Sequence, residues 1–133
     1  MDSDSDADGD SATKANTDAG ALVRRYYDGL DDHDYDALAE ILAPDFVQRR
    51  PDRTFDDRAS FVQFMREKRP NPNTTHEVID IVADDRTVAA RGRVLEAATD
   101  ASDNDDDDRV LFEFADFFAV SDGRIERLET YAR

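Results

Sequence analysis

Val110-Leu111-Phe112-Glu113-Phe114-Ala115-Asp116-Phe117-Phe118-Ala119-Val120, followed by Ser121-Asp122-Gly123-Arg124-Ile125, decides the architecture. Side chains of a strand alternate between faces. One face carries Val110, Phe112, Phe114, Asp116, Phe118 and Val120; the other carries Leu111, Glu113, Ala115, Phe117 and Ala119. Asp122-Gly123 is a strong two-residue hairpin signal, so Arg124–Tyr131 returns beside this strand as the last one. Working backwards, Arg86–Ala97 and Thr74–Val82 alternate in the same way and are joined by an Ala83-Asp84-Asp85 turn. The four strands read as an antiparallel meander.

Upstream the period changes. Leu22, Tyr26 and Leu30, with Val23 and Tyr27 beside them, form one apolar helix face, weakened at its end by Gly29. Asp31-Asp32-His33-Asp34 reads as a turn, with Asp34 as N-cap of a second helix bearing Tyr35, Leu38, Ile41 and Leu42. Pro44 is expected to stop that helix, and Asp45–Arg50 to form a short strand with Phe46 and Gln48 opposite Val47 and Arg49. After a Pro51–Phe55 loop, Asp56 or Asp57 caps a third helix with Phe61, Val62, Phe64 and Met65, ended by Arg69-Pro70-Asn71-Pro72-Asn73. Three helices followed by an antiparallel sheet make an α+β fold.

Composition narrows the function classes. The 133 residues suit one domain, and 39% hydrophobic content with 8 Phe and 4 Tyr suffices for a core. The absence of Cys excludes disulfides, thiolate catalysis and Cys-based metal sites, and His33 and His76 alone make no histidine-rich centre, so no metal and no cofactor are expected. No apolar run reaches the roughly 20 residues of a membrane span, the first residues are acidic, and the expected location is the cytoplasm. A net charge of −16 argues against nucleic acid and anionic membranes as partners. The acids are 26 Asp and 7 Glu and the bases 15 Arg and 2 Lys, a bias that resembles the proteins of salt-loving archaea. Self-repulsion at this charge density is screened in molar salt.

The charge is concentrated in two places. Residues 1–18 (net −5) lack large apolar side chains and read as a disordered acidic tail; Asp4-x-Asp6-x-Asp8-Gly9-Asp10 lacks the helices and the twelfth-position Glu of a calcium loop. Residues 100–108 (net −6) read as an acidic loop. Against these, residues 45–72 carry seven bases and five acids, a basic island in which Arg49, Arg50 and Arg53 stand out.

Leu22-Val23-Arg24-Arg25-Tyr26-Tyr27-Asp28-Gly29-Leu30, Asp34-Tyr35-Asp36-Ala37-Leu38, Leu42-Ala43-Pro44-Asp45-Phe46 and the closing Phe117–Ile125 hairpin resemble the NTF2-like superfamily, in its SnoaL-like and ketosteroid-isomerase-like branches, over residues 19–133. The resemblance implies a cone-shaped fold, with the three N-terminal helices packed on a curved antiparallel sheet around an apolar pocket, and a homodimer formed through the sheet. It also implies two alternatives for function. One is a cofactor-independent isomerase, cyclase or dehydratase acting on an apolar carbonyl compound. The other is a non-catalytic ligand-binding or dimerisation module.

Asp116 is the only polar residue on its strand face; in an apolar pocket its pKa rises and it can act as acid or base, whereas an Arg or Tyr across the sheet would make it structural. The resemblance matches Tyr26 to the family's oxyanion-hole Tyr and Asp116 to its strand Asp, an arrangement that is itself the standard illustration of a carboxylic acid kept neutral. The family's base position holds Arg50, before Pro51, and an Arg accepts no proton at neutral pH. Tyr27, Arg50, Phe112, Phe114 and Phe118 are the expected substrate-binding residues, with Arg50 as anchor for an acidic group. The expected ligand is thus a small apolar or acidic molecule. His76, at a strand start, reads as exposed. Leu111, Ala115, Phe117 and Ala119 form an apolar outer face for a partner copy.

Overall fold

The structure, a computed structural model, describes residues 4–69, 73–96 and 109–133, with side chains from residue 18 onward. The 100–108 loop lies outside the described residues. The elements are α1 (Asp4–Asp32), α2 (Tyr35–Ile41), β1 (Leu42–Arg49), β2 (Thr54–Phe55), α3 (Arg58–Glu67), β3 (Thr74–Ala83), β4 (Thr87–Glu96), β5 (Arg109–Ser121) and β6 (Arg124–Ala132).

Helix α1 runs back to Asp4, through the stretch that composition assigned to an irregular tail. Among the described side chains of α1, Ala19, Leu22, Val23, Tyr26, Tyr27 and Leu30 are buried. Its C-terminus lies beyond Leu30. His33 has a φ of 58°, its N–H donates to Leu30 O (3.3 Å), and Asp34 N–H donates to Gly29 O (2.9 Å). This is a Schellman-type end with a histidine in the left-handed position. Asp34 caps α2 by accepting from Ala37 N (3.1 Å), and Asp57 caps α3 by accepting from Ser60 N (2.7 Å).

The sheet has six strands in the order β2-β1-β6-β5-β4-β3, and β1 runs parallel to β6. Two features differ from the sequence reading. Strand β1 starts at Leu42, with Pro44 inside it, and Thr54–Phe55 is a strand instead of loop. Pro44 falls in the gap between the Leu42↔Ile125 and Val47↔Arg127 pairs, where no ladder bond is lost to its missing N–H. Asp122 (φ 54°) and Gly123 (φ 75°) close the β5–β6 hairpin as its two left-handed turn residues.

Bulges curve the sheet. Val78 pairs with Gly92 and Asp80 with Arg91, leaving Ile79 as the extra residue of β3. Gly92 faces that bulge, and a Cβ there would sit 2.1 Å from the Glu77 carbonyl oxygen. A second bulge makes Leu111 the extra residue of β5, between the pairs Val94↔Phe112 and Leu95↔Val110. Strict alternation put Leu111 on the outer face; the bulge turns it inward, partly buried against the core. Below the bulge the alternation holds, with Phe114, Asp116, Phe118 and Val120 buried and Phe117 44% exposed. The core is Phe46, Phe61, Phe118, Leu38, Leu42, Ile125 and Leu128, all essentially inaccessible, between α1–α3 and the concave side of the sheet. No helix among the described residues is long and apolar enough to cross a membrane.

Candidate functional site

Beyond the packed aromatic end, helices and sheet diverge around a cavity of about 410 Å³. That is the size range of small-molecule sites. Leu111, Phe112, Phe114, Val94 and Met65 supply apolar wall; Tyr26, Gln48, Arg50, Arg69, His76 and Thr130 supply the polar groups. Of the residues expected to form the site, Tyr26, Arg50, Phe112 and Phe114 line this cavity. Asp116, Tyr27 and Phe118 are buried behind its wall.

Asp116 is 5% exposed. Cross-strand pairing with Thr130 brings the Thr130 hydroxyl to donate to Asp116 Oδ1 at 2.6 Å, and the Tyr27 hydroxyl donates to Oδ2 at 2.7 Å. Burial pushes the Asp116 carboxyl up from its ordinary range, against the opposing pull of the Thr130 and Tyr27 hydrogen bonds and of His76 and Arg50. The partner of Asp116 on α1 is therefore Tyr27. The Tyr27 phenol is itself pushed up, by burial first and then by Asp116. Tyr26 packs edge-on to Phe118 (centroids 5.4 Å) and stacks on Phe61 (6.1 Å). Burial raises its phenol, Asp116 adds to the rise, and Arg50 and Arg69 oppose it. Tyr26 is thus a neutral hydrogen-bond donor.

Thr130 links Asp116 to the cavity. Its oxygen accepts from Gln48 Nε2 (3.0 Å) while its hydroxyl is committed to Asp116. This fixes the Gln48 amide so that Oε1, buried in a residue 3% exposed, has no hydrogen-bond partner.

His76 is not simply exposed. Its Nδ1 lies 2.7 Å from Asp31 Oδ1, and its backbone N–H donates to Asp31 Oδ2 at 3.0 Å. The ring lines the cavity and sits 5.2 Å from the Tyr27 ring and 5.6 Å from Phe114. Sequence reasoning missed Asp31 by placing it in a turn. The available signal was the spacing Tyr27 to Asp31, one helical turn, had α1 been carried past Leu30.

The basic island divides. Arg58 Nη1 donates to Ala39 O and Leu42 O, tying α3 to α2 and β1. Arg53 lies over the Phe64 ring (4.4 Å) and Arg66 over Tyr35 (5.7 Å). Arg49 points to solvent. Arg50 and Arg69 alone of this island line the cavity. Arg91 pairs with Asp80 (2.6 Å), and Arg93 with Glu77. Among the described residues no three His, Cys, Asp or Glu side chains converge as a metal-ligand set.

With this geometry in view, a family model for the SnoaL-like domain matches residues 23–128, and the chain belongs to that family. Solved structures agree on the fold. A candidate ketosteroid isomerase from Kribbella flavida superposes with a TM-score of 0.72 at 22% identity, covering 89% of this chain and 79% of that one. A candidate polyketide cyclase from Xanthomonas campestris gives 0.66 at 28% identity, covering 88% and 91%. An LEH-like epoxide hydrolase from M. tuberculosis gives 0.68 at 18%, covering 89% and 84%. Among curated proteins none matches. The chain is a SnoaL-like domain of the NTF2-like α+β fold, with a pocket of small-molecule size.

Proposed function

We propose that this chain is an enzyme of the isomerase, cyclase or dehydratase type that moves protons on a small apolar carbonyl compound with its own side chains. The observation that carries the reading is the His76 ring in the cavity wall, held at Nδ1 by Asp31. With Nδ1 held by a carboxylate, the ring is fixed and Nε2 is the nitrogen available to take a proton. It fills the chemical role that Arg50 cannot. Tyr26, neutral and in the same cavity, donates to the carbonyl oxygen as negative charge develops. Asp116 acts as the acid–base reserve, reached from the cavity through the Thr130 hydroxyl. The names of the similar proteins, a cyclase candidate and an isomerase candidate among them, support this class of chemistry.

Kemp elimination of 5-nitrobenzisoxazole tests the base without knowledge of the natural substrate. The parent should show saturable turnover, and His76→Gln should lose at least about 100-fold, the usual worth of a positioned base. Equal turnover in the two proteins would sink the assignment. One observation favours the non-catalytic alternative: both Asp116 oxygens are already occupied. Saturable binding of the probe without turnover would decide for it.

The same proposal includes a homodimer through the outer sheet face, where Phe117 and Tyr131 are exposed and meet ring to ring at 5.8 Å. Light scattering that gives one mass for the parent and Phe117→Glu would rule it out. The acid excess supports a salt-rich cytoplasm as the setting.

A further inference from the structure

Arg69 is the anomaly of this acidic chain. It is partly buried, lines the cavity, and among the described residues donates to two neutral oxygens: Nη1 to Leu30 O (3.0 Å) and Nη2 to Thr74 Oγ1 (2.7 Å). A guanidinium has five N–H donors, so some are left over. Arg50 reaches the same cavity from the end of β1, and its ion pair to Asp52, a half-exposed residue that also lines the cavity, is long at 3.4 Å. Two guanidiniums thus share one largely apolar cavity in which Asp52 is the only carboxylate among the described lining residues, and this leaves positive charge for an anion to meet.

We infer that the cavity is built for a small organic acid, with its carboxylate received by Arg50 and Arg69 and its apolar body against Phe112 and Phe114. This rests on the proposed function only in placing the ligand in that cavity; it assigns the substrate class that the base and Tyr26 would act upon.

The test is calorimetric titration with two probes, cinnamate and its methyl ester. The acid should bind at least about 10-fold more tightly than the ester, in line with the worth of charge-assisted hydrogen bonds. Arg50→Gln, whose lost side-chain partner is a surface aspartate, should keep its near-UV CD and bind acid and ester alike. Arg69→Lys keeps the charge but loses the fork, and should reduce the acid's advantage. Ester binding as tight as acid, an unchanged acid-to-ester ratio in Arg50→Gln, or no binding of any probe at millimolar concentration would overturn the inference. The Kemp substrate is neutral, so those failures leave the base assignment standing, and a failed Kemp assay leaves the anion site standing.

Discussion

Asp31 and Asp116 are two carboxyl groups that meet helix α1 one turn apart, Asp31 as a residue of it and Asp116 through Tyr27. Their settings are opposite. Asp116 is almost wholly buried, receives two neutral hydroxyls, and is pushed toward its protonated form. Asp31, with 18% of its side chain exposed, holds His76 at both its ring Nδ1 and its backbone N–H. The same functional group thus has its neutral form favoured in one place and holds an imidazole in the other. Partner and solvent exposure decide which.

Salt is the bluntest way to break this contrast, because it acts on both sites at once. With 33 acids against 17 bases, dialysis to about 0.05 M salt is expected to abolish the near-UV CD of the rings around both sites. An unchanged spectrum would remove the salt-dependence reading. Next in size is Asp116→Ala. It strands two buried hydroxyls and should cost about 3 kcal/mol in urea melts. Asp31→Ala opens a pair near solvent and should cost about 1 kcal/mol; equal losses would erase the distinction. A pH series sharpens it further. The folded pKa of Asp116 lies above its unfolded value, so its stabilising contribution is complete below about pH 3.8 and fades as pH rises through the folded value. Asp116→Asn should therefore gain in Tm relative to the parent as pH rises from acid toward neutral. A constant difference would mean that the carboxyl titrates normally. The smallest expected effect on stability is that of Asp31→Asn. It should lower Kemp turnover about 10-fold through loss of ring orientation while moving Tm only slightly. Unchanged turnover would reduce Asp31 to a surface partner.

Much of the fold was legible because its signals are local. The period-two face of Phe114, Asp116 and Phe118, the Asp34 cap and the Asp122-Gly123 turn each depend on neighbours in sequence. The site was less legible because its contacts are not local. Asp31 and His76 are 45 positions apart, and Tyr27 and Asp116 are 89 apart. Adjacent tyrosines on one helix gave no means of telling which would reach the carboxyl and which the cavity. Leu111 turned inward at a bulge that no pattern within its own strand announces. Arg69 was lost among the bases after α3, although a cation before a double-proline stretch is held where the chain turns back to the sheet.

The missing side chain at Gly92 reaches further than its own strand. Its absence lets β3 and β4 close up at the Ile79 bulge, where even a methyl would collide with the Glu77 carbonyl. That crease opens on a separate depression lined by Ile79, Arg91 and Tyr131, apart from the cavity's own lining. A side chain at Gly92 would strain the scaffold through a backbone collision alone, with none of the cavity's polar groups touched.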